Sequence, residues 1–288
     1  MNAPLAADTK IDIRKGITYA THDGVVLQGD LYLPRARSNV PALVGVHGGG
    51  WQQGARSSFQ YWGPHLAARG CALFAIGYRL AKKGQKAFPQ AVRDVMAAVQ
   101  FVRGSAAEFG IDGSRIGLFG ASAGAHLAAL AGLGGRTPVF AGGYPDDRHA
   151  DIDTRAKVLV GVYGVYDPLA MWECYRAASP LDNNIENFLG AAPMEDRRLY
   201  FDASPLSYAT YANRETAVLL ACGTEDDLVD RTAHTDAFLR ALKQAGFFAR
   251  SCVVAGAGHY WLSDPIDEPG SHSGFFAPRL MRFLAEKL

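Results

Sequence analysis

A serine with glycine two residues away on each side, Gly120-Ala121-Ser122-Ala123-Gly124, is where residue types and spacing first suggest chemistry. An apolar run precedes it (Ile116, Leu118, Phe119), and alanine, leucine and histidine at helical spacing follow it to residue 133. The pattern predicts a strand, a tight turn and a helix, with Ser122 at the apex. A serine on so sharp a turn is forced into strained torsions. The backbone two residues to either side then approaches closely, which demands residues nearly free of side chain. The helix beginning after Ser122 aims its free N–H groups and positive end at the same point. Serine is a poor nucleophile at neutral pH, so this one needs a base, an acid to orient the base, and donors for a developing oxyanion.

The chain offers candidates for each. For the base, His259 follows a predicted strand at 250–254 in the loop A-G-A-G-H-Y, where Gly256 and Gly258 leave room for the imidazole to turn. The competing histidines are less well placed. His22 lies in a hairpin turn, His65 on a helix, His149 and His234 on polar segments that read as surface, and His272 in a late polar loop. His47 opens a glycine loop and is read as holding it by hydrogen bonding. His126, one helical turn after Ser122, is a rival held rigidly on the same helix. For the acid, Glu225-Asp226-Asp227 follows a predicted strand at 217–221, and position alone does not separate the three. For the oxyanion, His47-Gly48-Gly49-Gly50 follows the apolar run 42–46. Backbone N–H groups there can face a ligand unobstructed and join that of Ala123. Neither phosphate-loop pattern, G-x-x-x-x-G-K nor G-x-G-x-x-G, fits this loop.

These groups need a frame that brings strand ends together. After a loose segment over 1–16, residues 17–33 read as two β runs around His22-Asp23-Gly24, a hairpin signal. Strands are expected at 42–46, 71–78, just before Ser122, and at 157–162, 217–221 and 250–254. Helices are expected at 59–69, 89–109, after Ser122, and at 231–245 and 275–288. This alternation predicts a parallel sheet with crossover helices, whose ligands bind at the strand ends. Between 163 and 213 the periodicity fails, interrupted by Pro168, Pro180, Pro193 and Pro205. That stretch is read as an excursion over the active site within a single domain, 17–288.

Composition excludes several classes. The 288 residues are 49% hydrophobic and 20% charged, the balance of a soluble globular chain, with a formal net charge of +1. Lys82-Lys83 and Arg197-Arg198 are the basic pairs, read as solvated surface, so no nucleic-acid or membrane-surface footprint is expected. No apolar run approaches the ~18 residues of a membrane span, and no secretory signal pattern opens the chain. The expected location is cytoplasmic. Cys71, Cys174, Cys222 and Cys252 show no C-x-x-C pairing, so reduced thiols are expected, with no metal site and no cofactor.

HGGGW at 47–51, GASAG at 120–124, GTEDDLV at 223–229 and GAGH at 256–259 together resemble the α/β-hydrolase superfamily. Within it the likeness is to carboxylesterases of the hormone-sensitive-lipase and acetyl-esterase type, and it covers nearly the whole chain after the first dozen residues. The order Ser…Asp…His is that of α/β-hydrolases. The resemblance implies an α/β-hydrolase fold, with a mostly parallel central sheet, an N-terminal antiparallel hairpin, helices on both faces and a minimal cap. It implies Ser122 as nucleophile, His259 as general base and acid, and Asp226 as the orienting acid. Gly49, Gly50 and Ala123 would be the oxyanion donors, with Gly48 shaping the turn. The expected reaction is cleavage of carboxylic esters of short acyl chains or small aryl alcohols through an acyl-enzyme. Trp51 also resembles the HGGxW of kynurenine formamidases, so aryl formamides are the alternative substrate. A non-catalytic small-molecule receptor is disfavoured, since Ser122, Asp226 and His259 are all present. Among aromatics near the motifs, Trp51, Trp172, Tyr163 and Tyr260 are expected to bind substrate, with Tyr61, Trp62 and Trp261 as further pocket walls. The expected partner is a small-molecule ester or amide, and the sequence allows a homodimer.

Overall fold

Asp23 and Gly24 both take positive φ (50° and 78°), the two-residue turn that matches the right-handed twist of paired strands. β1 (Ile11–His22) therefore folds back antiparallel onto β2 (Val25–Pro34), with His22 opposite Val25. The structure, a computed structural model, describes residues 11–35, 37–178 and 182–288. β1 begins at Ile11 rather than after residue 16. Ile11 and Ile13 alternate with Asp12 and Arg14, and all four pair with residues of β2. The rest of the expected loose segment, residues 1–10, lies outside the described residues, as does Pro180.

The chain continues through β3 (Val40–Val46), α1 (Trp62–Ala67), β4 (Ala72–Ile76), α2 (Gln90–Gly104), α3 (Ala106–Phe109), β5 (Ile111–Ala121), α4 (Ala123–Ala129) and β6 (Val158–Val162). The helix expected over 89–109 is broken at Ser105 into α2 and α3, and Gly110 at φ 66° ends it. Beyond β6, the excursion carries α5 (Pro168–Ala178), α6 (Asn184–Leu189) and α7 (Arg197–Asp202). The side chains of Asn183 and Asp196 cap α6 and α7. Pro168 and Pro205 open their elements instead of breaking them, because the first turn needs no proline N–H. β7 (Ala217–Gly223), α8 (Ala237–Gln244), β8 (Ala249–Val254) and α9 (His272–Lys287) complete the fold. A wider turn, Thr232–Asp236, precedes α8.

The eight strands form one sheet in the order β1-β2-β4-β3-β5-β6-β7-β8. β2 runs antiparallel to β1 and β4, and every other neighbouring pair is parallel. The central strands are apolar on both faces because both faces are covered. In β3, Val44 and Val46 face the core layer that also holds Val95 of α2, Leu127 of α4 and Phe238 of α8, whereas Leu43 faces the layer that holds Trp62 of α1 and Leu280 of α9. This period-two alternation sets which face each side chain takes, and because β3, β5, β6, β7 and β8 run parallel, their C-terminal ends lie along one edge of the sheet.

Candidate active site

Ser122 sits between β5 and α4 at φ 53°, ψ −123°, a conformation costly for a residue with a side chain. Its N–H donates to Val162 O at 2.9 Å, and its carbonyl accepts from the N–H groups of Ala125 and His126 at 3.0 and 3.2 Å. The flanking glycines are a steric necessity. A Cβ on Gly120 would lie 2.3 Å from Gly124 O, and one on Gly124 would lie 2.1 Å from Val46 O.

The loops after β7 and β8 are stitched together and converge on the serine. Thr224 N–H donates to Val254 O at 3.1 Å, Glu225 N–H to Ala257 O at 2.9 Å, and Gly256 N–H to Thr224 Oγ1 at 2.8 Å. Asp226 and His259 are thereby set side by side, with His259 Nδ1 donating to Asp226 Oδ2 at 2.8 Å. On its other side, His259 Nε2 accepts from Ser122 Oγ at 2.9 Å. The other carboxylate oxygen of Asp226 accepts from the N–H groups of Leu228 and Val229, both at 3.0 Å. Burial alone would push the Asp226 pKa up. The His259 bond and these two N–H groups outweigh it and hold the carboxyl below its usual range. Glu225 and Asp227, which sequence position did not separate from Asp226, are exposed.

The glycine loop lies against this elbow, so closely that a Cβ on Gly48 would be 3.0 Å from Ser122 Cβ. Among the described residues, the N–H groups of Gly49 and Gly50 have no acceptor, and Ala123, first in α4, has no partner within its helix. These are donors available to an anion. His47 holds the loop through a 2.7 Å contact of its Nδ1 with Gly48 O. Tyr78, which the sequence did not single out, stacks on the His47 ring at 4.4 Å and donates to His47 O at 3.0 Å. His126 is not directed at Ser122. Its Nδ1 accepts from the Trp51 indole at 3.1 Å and its Nε2 donates to Ala203 O at 2.8 Å.

Several expected pocket aromatics are placed otherwise. Trp51 is 1% exposed, its indole stacked on Phe188 at 5.1 Å, so it anchors the glycine loop from within the core rather than lining an open pocket. Tyr163 is also buried. Its ring lies 4.4 Å from that of His259 and its hydroxyl accepts from Leu262 N–H at 3.3 Å, a brace for the imidazole. Trp172 is half-buried and bonds Glu186 Oε1 at 2.7 Å, joining α5 to α6. Trp62 and Trp261 belong to the core beneath. Tyr260 does stand at the rim, 68% exposed and edge-on to His259 at 4.9 Å. His234, read as surface, is buried and accepts the N–H groups of Tyr166 and Asp167, both at 3.3 Å. The excursion also brings Tyr175 and Asn184 to the glycine loop. Tyr175 lies three residues after Trp172 on one helix, a spacing that could have flagged it. Among the described residues no group of three or more His, Cys, Asp or Glu is arranged to hold a metal ion.

The strand order, with a strained serine at the β5–α4 turn, is that of the α/β-hydrolase fold. Solved structures share the fold. A truncated carbohydrate esterase from gut microbiota superposes with a TM-score of 0.80 at 21% identity, covering 99% of each chain. Esterase 2 of Thermogutta terrifontis, propionate-bound, gives 0.71 at 22% identity, covering 98% of this chain and 96% of that one. Residues 29–242 match the BD-FAE family model, and the chain belongs to that family. Among relatives by sequence, esterase LipC of Mycobacterium tuberculosis is 31% identical over 255 residues, 85% of this chain and 58% of LipC. An arylesterase of Saccharolobus solfataricus is 28% identical over 239 residues, 82% of this chain and 72% of its own. The chain thus spans little more than half of LipC, and 46% of the related esterase LipQ of Mycobacterium tuberculosis.

Proposed function

We propose that this chain is a serine hydrolase that cleaves carboxylic esters of short acyl chains or small aryl alcohols through an acyl-enzyme. The observation that carries this reading is the unbroken hydrogen-bond line from Ser122 Oγ through His259 to Asp226, set beside free backbone donors. Ser122 Oγ attacks the ester carbonyl as its proton passes to His259 Nε2. The N–H groups of Gly49, Gly50 and Ala123 take the oxyanion. Losing one such donor typically costs about 3–4 kcal/mol of transition-state stabilisation. His259 then protonates the leaving alcohol, and water activated by the same nitrogen releases the acid. Asp226 fixes the imidazole tautomer and balances its charge in the transition state.

Every group in this mechanism comes from one chain, so a homodimer is not required for it. The sheet and its helices act as a single domain, with the 163–213 excursion as a small cap over the site. A cytoplasmic location is supported by four free cysteines, with burial pushing the thiols of Cys71 and Cys222 up to about 12 and 11. Among the described residues no helix is long and apolar enough to cross a membrane. The test is Ser122→Ala, which should abolish p-nitrophenyl acetate turnover and fluorophosphonate labelling while preserving the circular dichroism spectrum. Retained turnover would overturn the assignment, and faster hydrolysis of N-formylkynurenine than of phenyl acetate would move the substrate to aryl formamides.

A further inference from the structure

Tyr163, the first residue after β6, holds φ at 38°, in the left-handed region that a bulky side chain enters only under constraint. Two backbone bonds supply the constraint. Its own N–H donates to Ala221 O of β7 at 2.6 Å, and the carbonyl just before it, Val162 O, accepts from Ser122 N–H at 2.9 Å. The turn is thereby pinned to Ser122 and to the strand that leads to Asp226. From that fixed backbone the tyrosine ring leans over His259, with centroids 4.4 Å apart and planes tilted by 49°. Trp261 backs the ring edge-on at 5.6 Å, and the hydroxyl accepts from Leu262 N–H at 3.3 Å, in the turn that follows His259. One residue therefore meets the supports of the serine, the acid and the base.

Its contact with the base matters most at one stage of the proposed cycle. In the free protein the imidazole is held at both nitrogens, by Asp226 at 2.8 Å and by Ser122 at 2.9 Å. In the acyl-enzyme Ser122 Oγ is an ester oxygen with no proton to donate, so the Asp226 bond alone remains and the ring can swing about it. The ring must then keep Nε2 aimed at water. Nε2 takes a proton from that water as its oxygen bonds to the acyl carbon. The proton next passes to Oγ as the C–Oγ bond breaks, which frees the carboxylic acid and restores Ser122. Of the two tyrosine rings beside the imidazole, Tyr260 is 68% exposed, whereas Tyr163 is 4% exposed and backed by Trp261. Tyr163 is the one rigid enough to limit the swing.

We infer that Tyr163 is a positioning residue whose ring keeps His259 aligned during deacylation, the stage at which Ser122 no longer holds it. This rests on the ester-hydrolase reading above. The probe is p-nitrophenyl acetate, whose good leaving group makes acylation fast and leaves deacylation to limit kcat. In Tyr163→Leu, kcat and KM should both fall about tenfold, with kcat/KM within about threefold of wild type, as a slower second step requires. Stopped-flow traces should show a p-nitrophenol burst of about one per active site. Tyr163→Phe keeps the ring and should hold kcat within about threefold of wild type. If Tyr163→Leu does not fold by circular dichroism, Tyr163→Met, which fills the vacated space more flexibly, takes its place with the same expectation. A merely structural role would lower kcat/KM as far as kcat. That result, an unchanged kcat, or a Tyr163→Phe variant as slow as Tyr163→Leu overturns the inference while the esterase reading stands. If wild-type protein does not hydrolyse p-nitrophenyl acetate, the esterase reading falls and this inference with it.

Discussion

The indole N–H of Trp51 donates to Nδ1 of His126 at 3.1 Å, tying the glycine loop to the helix that begins at the Ser122 turn. Trp51 holds φ at 62°, a position that costs a bulky residue energy and persists only when its surroundings enforce it. The stack on Phe188 and the bond to His126 supply that enforcement. Trp51→Phe keeps a ring in the stack but leaves a buried imidazole nitrogen unpaired. The expected loss is about 1–3 kcal/mol of stability by urea unfolding. Because Gly49 and Gly50 lie immediately before Trp51, kcat should fall more than KM rises; an unchanged kcat would show that the loop is held without this bond.

Asp226 is the member of its acidic trio that bonds His259, and its other oxygen is spent on two backbone N–H groups. Asp226→Asn preserves shape but can offer the imidazole an N–H, favouring the wrong tautomer. A fall of about 10,000-fold in kcat is expected for the proposed esterase. Glu225→Gln and Asp227→Asn, at exposed positions, should stay within about twofold of wild type by the screened-surface argument. Steady-state assays of the three variants side by side decide the matter, and a large loss in either exposed variant would reassign the acid.

Much of this arrangement was legible because its parts are local. The elbow glycines, the Asp23-Gly24 turn and the apolar central strands each encode their geometry within a few residues. What was not legible depends on contacts between segments far apart in the chain. Trp51 reads as a pocket wall because it follows the glycine loop, yet His126 and Phe188 draw it into the core. His234 reads as surface because its neighbours are polar, yet the turn at Tyr166 and Asp167 needs a buried acceptor. Tyr175 offered only its spacing from Trp172, since it is the packing of α5 and α6 on the glycine loop that brings it to Gly50. Even the start of β1 was hidden, because Asp12 and Arg14 make residues 11–16 look like a polar lead-in rather than an edge strand.

Acid should destabilise the fold through two histidines held neutral. Burial pushes both His126 and His234 from 6.5 down to about 4. With the folded value depressed, the unfolded chain binds more protons below pH 6.5, so stability is full above that pH and is lost as pH falls toward 4. For His126 alone, lowering pH from 7 to 5 should cost about 2 kcal/mol. Urea unfolding at the two pH values checks this. The loss should shrink in His126→Gln, and an equal loss in wild type and variant would mean the imidazole takes up no extra proton on unfolding.

His22 should behave in the opposite sense. Its ring is buried, with Nδ1 2.8 Å from Asp94 and Nε2 2.7 Å from Asp147, and it stacks on Tyr144 at 3.5 Å. Arg79 closes the cluster by bonding Asp94 and Asp23, and Asp23 also accepts from the Tyr144 hydroxyl. Burial acts to lower the His22 pKa, but the bonds to the two carboxylates outweigh it and raise the value above 6.5. In the charged form both ring nitrogens donate, one to each carboxylate. Stability from this imidazolium is fully present below pH 6.5 and is lost as pH rises through the raised value. His22→Gln should therefore be most destabilising, relative to wild type, near pH 6, with the gap narrowing by pH 9 in urea unfolding. A gap that widened between those pH values would mean that the cluster holds the neutral ring instead.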